Sequence, residues 1–346
     1  MTLLRIDSTN HTALDSLAKV IQETQEESTI NYIFEIIYEN LESDSHVFTI
    51  LISPLSYLCQ TSVEENIKRI AASYLGEINP ENKVAVQTLL NLTQNSKDED
   101  IRVWAATDLG EIDPGNKIAI QTLLELIKYT KNDRIRMQAA SSLGGIDPGN
   151  GTAIETLIEL IQNTNDESIC GQVACLLENI YPGNLVAIGT LTRLIITSGN
   201  ESDCWRMIWH LGHIKANVEA VIYALVEIVQ NTNNGSVIRN AFERLQEISH
   251  GNKVAIKLIA KVINSTQDSN VILRASECLI KILRYDQLPD ILSYIQSSLA
   301  LKKHPEDKAK FVAWYPVIWH CTQNMTYPDF YRAWHISSSS NTKLLE

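Results

Sequence analysis

Histidine and cysteine, the side chains that most readily bind metals and move protons, meet in the string Trp314-Tyr315-Pro316-Val317-Ile318-Trp319-His320-Cys321. A further histidine, His335, ends Tyr327-Pro328-Asp329-Phe330-Tyr331-Arg332-Ala333-Trp334-His335. Zinc takes four protein ligands, or three and a water. Only His320, Cys321 and His335 are on offer, and two adjacent residues do not easily chelate one ion. A thiol nucleophile needs a base within about 3 Å and commonly an orienting carboxylate. Asp329 is near in sequence, but nearness along the chain is not geometry. Cysteine is among the most buried residue types. The residues therefore favour packing for Cys321 over metal binding or catalysis, and they call for no cofactor.

Two other groups could carry binding. Trp205, Trp209 and His213 recur every four residues, which places them on one side of a helix. Exposed aromatics of this kind serve as binding hot spots. Lys253, Lys257 and Lys261 share the same spacing, as do Glu219, Tyr223 and Glu227. A single charge row is ordinarily a solvated face. A gradient from acidic to basic rows could still steer a charged partner.

These groups are set by a repeat. Leu75-Gly76-Glu77-Ile78-Asn79-Pro80-Glu81-Asn82 returns 34 residues later as Leu109-Gly110-Glu111-Ile112-Asp113-Pro114-Gly115-Asn116, and again as Leu143-Gly144-Gly145-Ile146-Asp147-Pro148-Gly149-Asn150. Units begin at Ile33, Ile67, Ile101, Ile135, Ile169, Asp203, Val237 and Val271, with a core Leu at 41, 75, 109, 143, 177, 211 and 245. Each unit reads as two helices. Ile67, Ala71, Leu75 and Ile78 form the apolar face of the first, and Ala pairs such as Ala105-Ala106 admit close neighbours. Gly76, Gly110, Gly144 and Gly212 are expected to end that helix. Asp113 or Asn116 is expected to cap the second, with Pro114 in its first turn. The second helix carries Ile118, Ile120, Leu123, Leu124 and Ile127.

Departures from the ruler stand out. Leu4-Arg5-Ile6-Asp7-Ser8-Thr9-Asn10 matches a helix end and its turn, so the chain is expected to start inside a repeat whose first helix is missing. Four extra residues fall near Thr29 to Tyr32. Met207-Ile208 replaces the Ala pair and Asp203 the opening Ile. On the first helix, the lines through Arg69, Val103, Met137, Gly171, Trp205 and Arg239 and through Ser73, Thr107, Ser141, Cys175, Trp209 and Glu243 are expected to face solvent. The polar second-helix line includes Lys83, Gln87 and Asn91, then Lys117, Gln121 and Glu125.

Bulk properties narrow the class. Lys+Arg number 29 against Asp+Glu 41, a net charge of −12. Nucleic acid, which needs a basic footprint, is disfavoured as a partner. Six cysteines without a CxxC pair indicate reduced thiols in the cytoplasm. No signal peptide opens the chain and no run reaches membrane-spanning length.

A 34-residue helical pair also suits the tetratricopeptide repeat, but that family's Trp, Gly, Tyr and Ala signature is not met. The pattern Ile101-Arg102, Ala105-Ala106, Leu109-Gly110 and Ile112-Asp113 resembles the short HEAT repeat of the phycobilisome-lyase-like group. The Trp-His-Cys and Tyr-Pro-x-Phe-Tyr-x-Ala-Trp-His strings resemble the Cys- and His-containing segment that follows HEAT repeats in cyanobacterial NACHT-type (STAND) NTPases, the matching positions being His320, Cys321 and His335. No Gly-x-x-x-x-Gly-Lys-Ser/Thr string occurs, so nucleotide binding is not carried over.

The expected fold is an all-α, right-handed α-solenoid of two-helix HEAT-like repeats. Its expected parts are truncated, degenerate repeats over 1–66, the solenoid over 67–301, and a Cys/His-containing segment and tail over 302–346. The resemblance implies a non-catalytic, protein-binding scaffold, a ligand-sensing or regulatory module whose partner is an NTPase module on a neighbouring or fused chain. Partner contacts are expected at Trp205, Trp209, His213, Tyr223, Glu227, Lys253, Lys257 and Lys261. The alternative is a phycobilin lyase-like subunit that holds a chromophore and a phycobiliprotein.

Overall fold

The computed structural model describes residues 11–24, 26–40, 45–164, 166–300 and 307–335. The turn at 4–10, the repeated Leu41, the pattern break at 302–306 and the tail from 336 lie outside the described residues. The described residues are helical, with no strand among them. They divide into two compact units, Met1–Leu160 and Ile161–Glu346.

The first unit holds α1 (His11–Glu23), α2 (Glu27–Asn40), α3 (Ser45–Thr61), α4 (Glu65–Ile78), α5 (Lys83–Asn95), α6 (Glu99–Ile112), α7 (Lys117–Tyr129) and α8 (Asp133–Ile146), and α9 (Gly151–Asn163) carries the boundary. First helices of successive repeats pack side by side, α2 on α4, α4 on α6 and α6 on α8, and second helices do the same, α3 on α5 and α5 on α7. This unit is thus an all-α solenoid of two-helix repeats. The four extra residues near Thr29 lie inside α2, which starts at Glu27, one turn earlier than the register of α4 would place it.

One repeat shows why the sequence folds this way. Asp98 caps α6 by accepting the Asp100 N–H, and Glu99 and Asp100 put negative charge at the positive end of the helix dipole. Ala105, Ala106 and Leu109 are fully buried. Asn116 caps α7, its side chain accepting the N–H groups of Ile118 and Ala119. Asp113 accepts a 2.7 Å hydrogen bond from the Asn116 amide and holds that cap in place. Leu123, Leu126 and Ile127 then face the core, each such side chain contributing roughly 1.5–3 kcal/mol on burial.

Two expectations for this turn fail. Pro114 precedes the helix, which begins at Lys117, because Gly115 with φ +84° and the Asn116 cap come between. The glycines do not cap the first helix. It runs on for two residues to Ile112 and ends at Asp113, whose N–H bonds Leu109 O. Gly76 and Gly110 are small for another reason. A Cβ on Gly76 would lie 2.8 Å from Ile112 Cγ2, and one on Gly110 would lie 2.8 Å from Ile146 Cδ1. Each glycine is the slot for the isoleucine of the next repeat.

The second unit continues with α10 (Glu167–Ile180), α11 (Leu185–Thr197), α12 (Glu201–His213), α13 (Val218–Asn231), α14 (Gly235–Ile248), α15 (Lys253–Ser265), α16 (Ser269–Ile282), α17 (Leu288–Ala300), α18 (Asp307–Asn324) and α19 (Tyr327–His335). Here α10, α12, α14, α16 and α18 follow one another in the first-helix layer, and α19 packs on α17. The Trp-His-Cys string therefore lies on a further helical pair stacked on the repeats. Ala313, Trp314 and Val317 are buried, as are Ala275, Ser276 and Leu279, which precede them by 38 residues. Ser276 Oγ donates to Ala313 O at 3.0 Å and Ser293 Oγ to Ala333 O at 3.0 Å, tying both helices of the pair to their neighbours.

Candidate functional site

The Cys/His segment is built around Trp314. Its ring is fully buried, lies edge-on to Tyr294 at 6.1 Å, and donates through Nε1 to Asn264 Oδ1 at 3.0 Å. Asn264 in turn donates to the Tyr294 hydroxyl oxygen at 3.0 Å. A buried indole N–H left without an acceptor would cost stability, and this arrangement supplies one.

Cys321 is fully buried, and burial pushes its thiol up to about 12. A thiol so placed stays protonated at neutral pH and is a poor nucleophile. His320, the next residue round the helix, is half-buried, and desolvation lowers its pKa. Its Nδ1 lies 3.3 Å from the Asn324 amide nitrogen, which also donates to its carbonyl. His335 is exposed, with its ring 4.5 Å from that of Tyr331. Asp329 pairs with Arg332 at 2.8 Å. His320, Cys321 and His335 are thus not brought together, because Cys321 points into the core. Among the described residues no three His, Cys, Asp or Glu side chains are grouped to hold a metal.

On α12, Trp205 is 56% exposed and Trp209 41%. The Trp209 and His213 rings lie 4.0 Å apart, tilted by 30°, and His213 Nδ1 lies 2.7 Å from Trp209 O. The ridge is held by its own helix: Asn200 caps α12, Met207, Ile208 and Leu211 are buried, and Arg206 pairs with Asp203 at 3.0 Å. His210 between the ridge residues has its pKa lowered, first by burial and then by Arg206 and His213.

The lines that contain these tryptophans do not all face solvent. Val103 is fully buried, Gly171 is buried, and Arg69, Met137, Thr107 and Ser141 are partly covered. The cause is the side-by-side packing of first helices. Arg69 reaches Asp108 of the next repeat at 2.8 Å, and Thr107 donates to Ser142 Oγ at 2.7 Å. Burial raises Asp108 to about 6, with Arg69 pulling the other way.

The polar second-helix line is exposed from Lys83 to Lys261, with Lys257 partly covered. Its acidic middle is partly matched: Glu125 lies 3.9 Å from Arg102 and Glu159 3.4 Å from Arg136. Tyr223 and Glu227 are exposed on α13, and Lys253 and Lys261 on α15.

Two features were missed in the sequence. Ser62, Ser96, Thr130, Thr164, Ser198, Thr232 and Thr266 each accept the backbone N–H two residues on. They recur every 34 residues, and this period was the available signal. Ser96 and Thr130 also donate to Glu65 and Glu99 of the preceding first helix, at 2.6 and 2.7 Å. The second is an aromatic line on α18, where Phe311, Tyr315 and Trp319 are 46%, 51% and 55% exposed. Its signal was the four-residue spacing already used for Trp205 and Trp209.

Comparison with known proteins agrees with this architecture. Residues 86–176 match the family model for HEAT repeats, and residues 308–335 match the model described as NACHT C-terminal Cysteine and Histidine-containing. No curated protein matches the chain. A solved structure from work on computationally designed self-assembling cyclic protein homo-oligomers is 16% identical, covering 89% of this chain and 98% of that one. Its TM-score is 0.13, so it carries no weight for fold or function. No described helix is long and apolar enough to cross a membrane. Residues 86–176 are thus similar to HEAT repeats, and residues 308–335 to the Cys- and His-containing segment found C-terminal in NACHT proteins.

Proposed function

We propose that this repeat scaffold is a non-catalytic protein-binding module that serves a NACHT-type signalling NTPase in the cytoplasm as its ligand-sensing or regulatory arm. The NTPase module is supplied by a neighbouring or fused chain. The observation that carries this reading is the exposed Trp205 and Trp209 pair on a helix whose other face is locked in the core. Large exposed aromatics on a rigid support are the usual anchors of protein interfaces. Tyr223 and Glu227 on α13, and Lys253, Lys257 and Lys261 on α15, supply polar rim contacts in this reading.

The test pairs the purified chain with the NACHT-type NTPase encoded nearest to it. Trp205→Ala with Trp209→Ala should weaken capture at least about 30-fold, the scale of a hot-spot loss, and leave far-UV circular dichroism unchanged. Capture that is indifferent to both changes removes the ridge from the reading. A stable coloured complex on mixing with a bilin would favour the lyase-like alternative instead.

A further inference from the structure

Glu178 has no part in the reading above. Asp108 and Glu178 are the acids buried among the described residues, 8% and 5% exposed. Asp108 has the Arg69 guanidinium at 2.8 Å. Glu178 has no such counter-charge. Its Oε2 accepts the Gly183 N–H at 2.9 Å, while its Oε1 is sealed from solvent and meets no hydrogen-bond partner among the described residues. A carboxylate is costly to hold in such a place, and a neutral carboxyl with one oxygen unpaired costs far less. Burial accordingly raises its pKa above the usual carboxylate value, more than the Gly183 and Asn184 N–H groups lower it.

In the regular repeats the acid stands in the turn itself. Asp113 and Asp147 accept from the Asn116 and Asn150 amides at 2.7 Å. Tyr181 occupies that position here, and the carboxyl that bonds the turn comes from inside the core, three residues back on α10. What it bonds is a joint between repeats. Gly183 has φ +82°, and a Cβ there would lie 3.0 Å from the Ala216 carbonyl. Asn217 Nδ2 donates to Gly183 O at 3.2 Å. The segment docked on Gly183 is thus the one that ends α12 at His213.

The charged and titratable side chains around Glu178 are Cys175 on its own helix, Arg193 on α11, Arg206 and His210 on α12, and Lys215 in the segment against Gly183. Cys175 feels the charge of Glu178. Arg193 pairs with Glu167 at 3.6 Å and Arg206 with Asp203 at 3.0 Å. Lys215 is exposed, and His210 answers to burial, Arg206 and His213. We propose that Glu178 is a proton-operated latch: uncharged, it stays in the core and holds the turn 181–184 against the end of α12, and on ionising it leaves the core and frees that turn. Since the folded pKa lies above the unfolded one, the latch is fully closed below the unfolded value and opens as pH rises through the folded one. The latch does not depend on whether Trp205 and Trp209 bind a partner.

Amide hydrogen exchange on the full chain reads the latch at the Gly183 and Asn184 N–H groups. With intrinsic exchange divided out, their protection should fall at least about tenfold from about pH 5 to about pH 8, the effect of displacing one carboxyl pKa by about one. Glu178→Gln keeps the shape of the uncharged carboxyl and cannot ionise. Its protection should stay level and exceed that of the wild-type chain at the upper pH. Glu178→Gly, which restores the residue found at Gly144 and Gly212, removes the latch, and Gly183 should exchange freely at every pH. The Leu225 amide, in the core of α13, should stay protected throughout, which separates release of the turn from loss of the fold. A Glu178→Gln chain that keeps the wild-type pH response overturns the inference. So does Gly183 protection unaltered in Glu178→Gly, and so does a loss shared equally by Leu225.

Discussion

The repeats of the first unit and those around α12 use the same register with opposite results. At one first-helix position stand Gly76 and Gly110, and the following isoleucines, Ile112 and Ile146, pack directly on them. Glu178 occupies that register in the second unit. It is buried, its Oε2 accepts the Gly183 N–H at 2.9 Å, and its Oε1 is buried without a hydrogen-bond partner. Burial raises its pKa, while the Gly183 and Asn184 N–H groups lower it. In the repeat that follows, α12 ends at His213 and leaves Ile214 outside the helix, extended. Asn217 takes a left-handed conformation with φ 54° and donates to Gly183 O at 3.2 Å. Val218 replaces the capping Asn, so α13 starts one residue early with no side-chain cap. Small residues in this register admit a side chain of the next repeat, as Gly212 of α12 admits Arg244; where Glu178 fills it, Ile214 of the next repeat lies outside its helix. The repeat that departs most is the one that presents Trp205 and Trp209.

The Ala-pair register extends the lesson, for it reads Ala105-Ala106, then Met207-Ile208, then Ala313-Trp314. Trp314→Ala restores the regular pair in sequence. It should nevertheless be the most damaging change, costing about 3–5 kcal/mol, because the indole fills a fully buried site and satisfies Asn264. Thermal unfolding that begins with loss of α18 and α19 checks this, and a neutral result would mean that the third pairing obeys the regular rule.

Gly110→Val tests the slot directly and should cost about 1–3 kcal/mol by overpacking against Ile146. Gly145→Ala, one residue past the equivalent Gly144, has nothing within 4 Å of the added Cβ. It should stabilise by about 0.5–1 kcal/mol through helix propensity. Urea midpoints for the two variants should move in opposite directions. A common direction would reduce the glycine rule to propensity alone. The smallest effect is expected at the cap. Asn116→Ala should cost about 1 kcal/mol, while Val218→Ala, at a register that caps nothing in its own repeat, should show no cap penalty in the same urea series.

Much of this was legible along the chain. The 34-residue period showed two helices per unit, the buried Ala pairs and core leucines, and a cap at either Asp113 or Asn116, since each follows from local propensity and spacing. The role of the glycines was not legible. A glycine near a helix end looks like a cap until the isoleucine of the next repeat is seen against it. The Cys/His string offered ligand types by composition, although its residues favoured packing for Cys321. Its helical phase, which sends Cys321 inward and His335 outward, depends on packing against α16 and α17.

By itself the sequence determined the repeat, its helical content and its charge, because these are set by residue type and by spacing within about one turn or one unit. Tertiary structure alone decided which members of each line are covered. Val103 and Trp205 share a register, yet one is sealed and the other open. What covers a position is the neighbouring first helix, some 34 residues away, and no local pattern reports it.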